Sequence, residues 1–316
     1  MWSEAPDFTA WFPEPDGLPR PHWKAIQQYI RSYSTEEHWD AAWQEIGRLW
    51  LRKLAERLGG AYTAAESQNF HLLSELDEKG QRELLGFLEQ ARTCILRSLN
   101  NIPLPKRYGK HAVLRFTAED DYYRYVAWFD PDGAYAGSSG RFLTGSGYMH
   151  IAYPHHDCAG QDQAILAHEL THNLLKSFAL PRWLNEGLAM LFERDIAGYR
   201  YPMLTRELAN EHKANWNPKT IQEFWSGAYF ADPTGQKYAY GLARILLDFI
   251  ITDLRPGPAD FRDFILHADR KDGGGAAAHD YLGVELGDLV STFLGPGDWG
   301  PKYNSGGGNP KDARGP

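Results

Sequence analysis

Two cysteines in a chain of 316 residues, Cys94 and Cys158, are too few for a disulfide framework, and they lack the paired spacing of a zinc finger. A reducing, cytoplasmic setting is therefore expected. No run of about eighteen apolar residues occurs, which excludes a membrane-spanning helix. The opening stretch, MWSEAPDFTAWFPEPDGLP, lacks the basic region and apolar core of an export signal. Basic charge is also short. With 33 Lys and Arg against 41 Asp and Glu, the net charge is −8, so a nucleic-acid partner, which would call for a basic face, is not expected. No internal repeat is visible.

What remains is a globular composition, 43% hydrophobic with 11 tryptophans. The length suits one large or two small domains with a sizeable core.

Within this frame one string carries chemistry. Residues 168–172 read HELTH. The surrounding segment, 161–178, places Ile165, Leu166, Leu170, Leu174 and Phe178 at helical spacing and contains neither Gly nor Pro. On a helix, His168 and His172 stand one turn apart on one face, where two imidazoles can share one zinc ion. Glu169 lies about 100° further round, placed to hold and deprotonate the metal's water. A catalytic zinc takes three protein ligands and keeps a fourth position for water. The segment LPRWLNEGLA offers the third ligand, Glu186, among Trp183, Leu184, Leu188, Leu191 and Phe192, where a carboxylate is costly unless paired or metal-bound. Pro181 suits the start of that helix because it has no N–H to leave unpaired.

HELTH (168–172) and WLNEGLA (183–189) together resemble the gluzincins, zinc metallopeptidases with an H-E-x-x-H helix and a glutamate ligand on the following helix. By that resemblance His168, His172 and Glu186 hold zinc, Glu169 is the general base, and the substrate is a peptide or protein. The connection, residues 173–185, is shorter than in the best-known members, and no G-x-M-E-N-like exopeptidase string lies upstream. The likeness is closer to the peptidase-MA-like branch, whose members have an L-P-x-W-L-x-E-G-L-A segment. The position four after the ligand glutamate, often acidic there, is Met190 here, so support for the zinc ligands must come from elsewhere. Gluzincins often use a tyrosine on a later helix to stabilise the oxyanion. Tyr238 in KYAYGLARILLDFI (237–250) stands at the matching place, with Tyr240 the alternative if the register differs by two. The resemblance also implies an edge strand beside the zinc helix that pairs with extended substrate. GYMHIAY (147–153) is either that edge or an internal strand.

The expected fold is α+β: a gluzincin-like catalytic domain with a mixed sheet ahead of the zinc helix, a mainly helical lower part and an N-terminal helical extension. Its expected divisions are an arm and helical extension (1–65), a sheet part (66–160), a helical zinc-binding part (161–294) and a disordered Gly/Pro-rich tail (295–316). In the arm, Trp2, Phe8, Trp11 and Phe12 are placed to pin the chain to the surface. Ser34 with Glu37 reads as a capping box opening a helix that closes at Gly59–Gly60, with Trp39, Trp43 and Trp50 on its apolar face. Strands are predicted at 67–76, 111–116 and 147–153, with helices from after 76 to about 100 and from 118. A second capping box is read at Thr220 and Glu223, followed by helices at about 234–252, 258–270 and 284–294. His155 and His156 precede the zinc helix and are expected in a solvated loop. Two other functions share these residues: a catalytically inactive zinc-fold binding module, and a zinc hydrolase of a non-peptide amide or ester.

Overall fold

The computed structural model describes residues 8–129, 133, 137–145, 148–202 and 204–302. The chain is α+β and divides into two compact units, residues 1–93 with 105–173 and residues 94–104 with 174–316. The boundary expected at 160/161 thus falls later, between Asn173 and Leu174, and the N-terminal extension belongs with the sheet. No helix among the described residues is long and apolar enough to cross a membrane.

The first unit opens with helices α1 (Trp23–Tyr33) and α2 (Glu36–Leu58). Strands β1 (Thr63–Glu66) and β2 (Phe70–Ser74) follow, then α3 (Glu78–Ser98), β3 (His111–Phe116), α4 (Glu119–Ala127), β4 (Arg141–Gly145), β5 (Tyr148–Pro154) and α5 (Gln161–Leu175). The sheet order is β1-β2-β3-β5-β4. β2, β3 and β5 run parallel, while β1 and β4 close the two edges antiparallel. The central strands are almost wholly buried and mostly apolar, as parallel strands covered on both faces tend to be, with His71, Arg115 and His150 among their buried polar residues. β5 therefore lies inside the sheet, between β3 and β4, and β4 takes the edge. Neither edge strand was predicted, because TAAE and RFLTG are too short and irregular to show alternation.

The tryptophans of α2 are core residues. Trp43 and Trp50 meet Trp23 of α1 and Tyr148 of β5, with Trp23 stacked on Tyr148 at 4.0 Å. Such aromatic pairs contribute about 0.5–1.5 kcal/mol each beyond their buried area. The N-terminal arm is held by Phe12, which is buried, and by Trp11, edge-on to Tyr29 at 4.7 Å, as expected. Arg20, 2% exposed, adds an anchor the sequence did not show: it donates to the backbone oxygens of Tyr125 and Arg124 and pairs with Asp16. Trp2 lies outside the described residues.

Two capping expectations are corrected. Thr35, not Ser34, is the N-cap of α2, and Ser34 instead closes α1 by donating its hydroxyl to Ile30 O at 2.7 Å. α1 was not predicted, and its presence consumes the serine. Gly59 and Gly60 end α2 at φ of 73° and 64°, as expected.

The second unit is built on α6 (Arg182–Ala197), α7 (Arg206–Asn215), α8 (Thr220–Ser226), α9 (Gln236–Phe249), α10 (Pro258–His267), the single turn α11 (Gly275–Ala277) and α12 (Leu286–Leu294). α6 and α9 meet closely at Gly187, where an added Cβ would stand 3.1 Å from Ala243 O. Asn217 caps α8, its side chain accepting from the N–H groups of Lys219 and Thr220, so Thr220 lies inside the first turn rather than at the cap. The segment 295–302, expected to be disordered, is held on α8. Trp225 Nε1 donates to Trp299 O, and Gln222 bonds both Gly300 O and the Lys302 N–H. The remainder of that tail lies outside the described residues.

His150 on β5 is buried beside Trp50, Tyr125 and Phe129, with Nε2 2.8 Å from the Tyr125 hydroxyl. Burial pushes its pKa down to about 3, helped by the Arg20 charge. His71 on β2 is pushed down to about 4 by burial, against the attraction of Glu66 and with the added effect of Lys110 and Arg48. Both are neutral in the fold and become protonated in the unfolded chain below about pH 6.5. The unfolded state then binds more protons, so stability is full above that pH and is lost as pH falls toward 4. Urea unfolding at pH 7.0, 6.0 and 5.0 should show this loss. His150→Gln should reduce its slope by about 1.4 kcal/mol per pH unit; an unchanged slope would show that His150 does not carry it.

Candidate metal centre

The HELTH segment is helical as expected, in α5. Its first turn is fixed within the sheet unit by Asp162. That carboxylate accepts the His156 N–H at 3.0 Å, lies 3.2 Å from the Nδ1 atoms of both His155 and His156, and pairs with Arg115 of β3 at 3.5 Å. An acidic side chain in the first turn is also favoured by the helix dipole. His155 is an exposed loop residue as expected and His156 is half-buried in the same loop; both lie beside Asp162, and neither belongs to the ligand cluster. At the other end Arg107 donates to Asn173 O at 3.0 Å, satisfying one of the carbonyls a helix leaves open.

The helical period then does what the spacing implied. The Nε2 atoms of His168 and His172 face each other at 2.9 Å, with ring centroids 4.6 Å apart. Glu186 is buried on α6, and ligand atoms of His168, His172 and Glu186 all lie within 4.8 Å of one another. Two imidazole nitrogens lie close to a carboxylate, a donor set that suits a cation. Nitrogens bound to one tetrahedral zinc, at about 2.0–2.1 Å each, stand roughly 3.3 Å apart. The pair is within a few tenths of an ångström of that separation. The donor set of two imidazoles and one carboxylate fits zinc with a position left open.

Glu169 lies on the neighbouring face of α5, facing the segment that leads into β4. A Cβ on Gly140 would stand 3.7 Å from Glu169 Cγ and 2.4 Å from Ile165 Cγ2. The same segment carries Ser138, hydrogen-bonded to Tyr122 at 2.8 Å. Burial pushes the Tyr122 pKa up to about 12, and the Glu169 charge adds to that shift. Gly140 and Tyr122 were not picked out from the sequence, since only the folded chain brings the GSSG turn against α5.

Support for Glu186 comes from Arg182, whose Nε is 3.5 Å from Glu186 Oε1. That i,i+4 spacing was readable in the sequence and went unused. Arg182 also lies over the Phe230 ring at 5.3 Å, and Phe230 meets Tyr240 edge-on at 5.2 Å. Tyr240 shares the face of α9 that carries Ala243 and Leu247 against α6, one turn before the Gly187 crossing. Tyr238 is about 200° away round the helix. Its ring packs edge-on against His212 of α7 at 5.3 Å, with Lys237 over it. Tyr240 is thus linked to Glu186 through Phe230 and Arg182, whereas Tyr238 packs on α7.

No protein-family model matches the sequence, and no curated protein is significantly similar to it.

Because Ile165 Cγ2 sits on a β-branch and cannot swing aside freely, Gly140→Ala should strain the contact between this segment and α5. A loss of about 1–3 kcal/mol is expected in chemical denaturation, against no loss for the control Gly86→Ala, an exposed glycine of α3 with nothing within 4 Å of an added Cβ. Equal losses at the two glycines would remove the packing explanation.

Proposed function

We propose that this protein is a zinc-dependent metallopeptidase of gluzincin type, close to the peptidase-MA-like branch. The observation that carries the proposal is the convergence of the two facing imidazole nitrogens of His168 and His172 with the buried carboxylate of Glu186. A zinc ion held by these three residues would supply Lewis-acid polarisation of a carbonyl and a water of lowered pKa.

The remaining roles belong to the chain. Glu169, next to His168 on α5, accepts a proton from the attacking water and returns it to the leaving amine. The Tyr240 hydroxyl donates to the carbonyl oxygen as negative charge grows there, a contribution worth a few kcal/mol when the donor is preorganised. Tyr240 is preferred to Tyr238 because its contacts lead through Phe230 and Arg182 to Glu186. Arg182 holds the Glu186 carboxylate in place. Strand β4 is the sheet edge whose preceding segment touches Glu169, so its outer backbone offers extended peptide a strand to pair with. Backbone pairing of this kind imposes little side-chain selectivity, which fits a broad peptide substrate class.

Metal analysis of the purified protein should find one zinc per chain, lost in His168→Ala and retained in Glu169→Gln. On a peptide library, Glu169→Gln should reduce turnover by about 10²–10⁴-fold. Identical, null profiles for wild type and Glu169→Gln would instead favour a binding module without turnover. Cleavage of ester or non-peptide amide probes alone would move the assignment to another zinc hydrolase.

The two tyrosines separate independently of substrate identity. Tyr240→Phe should lower kcat by about 10²-fold with KM little changed, and Tyr238→Phe should stay within about twofold of wild type. The reverse order would restore Tyr238 as the donor.

A further inference from the structure

A concavity lies wholly within the helical unit, along the seam of α6 and α9. It encloses about 320 Å³, within the range of small-molecule sites. Its floor is apolar, made by Met190 and Leu191 of α6 and Leu247 of α9. Tyr199 and Tyr201 form a wall, their rings edge-to-face at 4.9 Å, and the Tyr201 hydroxyl is tied to Glu193. The wall is therefore anchored to α6 by its own side chain.

The charges at the rim are unbalanced. Three guanidinium groups, from Arg194, Arg200 and Arg244, line the cavity against the single carboxylate of Asp248. That carboxylate is already engaged, 2.7 Å from Arg194 Nη1, and Arg194 also pairs with Asp195. Arg244 lies over the Tyr201 ring at 5.4 Å and donates to Pro202 O at 3.4 Å. Among the described residues, neither Arg200 nor Arg244 has a carboxylate partner. Two uncompensated guanidiniums beside an aliphatic floor are notable on a chain of net charge −8.

A guanidinium offers paired donors that match a carboxylate, while the floor gains from covering alkyl or aryl surface. We propose that this cavity binds a small organic carboxylate with an apolar body, its head against Arg200 and Arg244 and its body against Met190, Leu191 and Leu247. Gly187, which lines the cavity, directly follows Glu186 on α6, so an occupant would rest against the helix that carries that carboxylate. Binding itself requires neither metal nor turnover, so its failure and the failure of the peptidase assignment are separate results.

Octanoate serves as the probe, followed by titration calorimetry and by the methionine methyl resonances of the full chain. The sequence has only four methionines, so the Met190 signal can be assigned with Met190→Leu. Octanoate should bind saturably and shift the Met190 methyl. Arg200→Gln, at an exposed position, should weaken binding several-fold, and the double variant Arg200→Gln/Arg244→Gln by tenfold or more. Octylamine, acetate and inorganic phosphate should each bind at least tenfold more weakly than octanoate. The proposal is overturned if octanoate leaves the Met190 methyl unmoved, if octylamine or phosphate binds as tightly, or if folded Arg200→Gln keeps wild-type affinity.

Discussion

Helix α5 is useful only because both of its ends are fixed within the sheet unit, and the chemistry proposed for the chain depends on that constraint. At its start Asp162 gathers Arg115 of β3 and the two loop histidines. At its end Arg107 takes the Asn173 carbonyl. Arg115 and Asp162 are mostly removed from solvent, so their attraction is screened less than that of a surface pair. Removing one partner of such a pair costs more than the pair contributes, because the other charge stays buried. Anchors of this kind determine where a helix points. A rotation of one residue, about 100°, would exchange the ligand face of α5 for the face that carries Glu169.

The parts of the site that were legible in the sequence are those governed by local periodicity. His168 and His172 needed only the helical repeat and an apolar stripe to define a face, and Glu186 stood out as a carboxylate in an apolar helix. The same logic failed where the answer depended on contacts between distant segments. Tyr238 and Tyr240 differ by two residues on one amphipathic helix, and both are partly buried. What distinguishes them is their packing: Tyr238 meets His212 of α7, and Tyr240 meets Phe230. β5 could not be placed inside the sheet or at its edge, because a buried strand reads the same in either position. The strand that settles it, β4, has no sequence signature of its own. The cap at Ser34 failed for a related reason, since α1 claims the serine that α2 seemed to need.

Buried polar groups in the two units are treated differently. In the sheet unit His150 and His71 lie within an aromatic core and are held neutral by burial. Glu186 has a cation at hand, Arg182, though one that is partly exposed. An exposed partner contributes little to stability by itself. Its effect is on orientation: it limits the rotamers of the carboxylate. Stability alone would favour a methionine or leucine among Trp183, Leu184 and Leu188. A carboxylate there makes physical sense when something positive completes it.

The short connection between the second histidine and Glu186 adds a further constraint. Two carbonyls of this connection are satisfied inside the helical unit. Ala179 O accepts the Arg270 N–H at 3.1 Å, and Leu180 O accepts Arg270 Nε at 3.0 Å. Pro181 then starts α6 without an N–H to pair, and Trp183 locks the first turn by donating to Gly273 O at 2.8 Å. Glu186 therefore follows a turn stapled at two carbonyls and one indole, not a loop free to wander. With so little slack in the connection, the ligand set from 168 to 186 is specified by one continuous stretch of chain. The surrounding parts, β4, Gly140 and Tyr240, come from distant segments. The residues proposed to hold the metal need only helical spacing and an apolar surround to be noticed, so they are readable in a sequence that matches no family model.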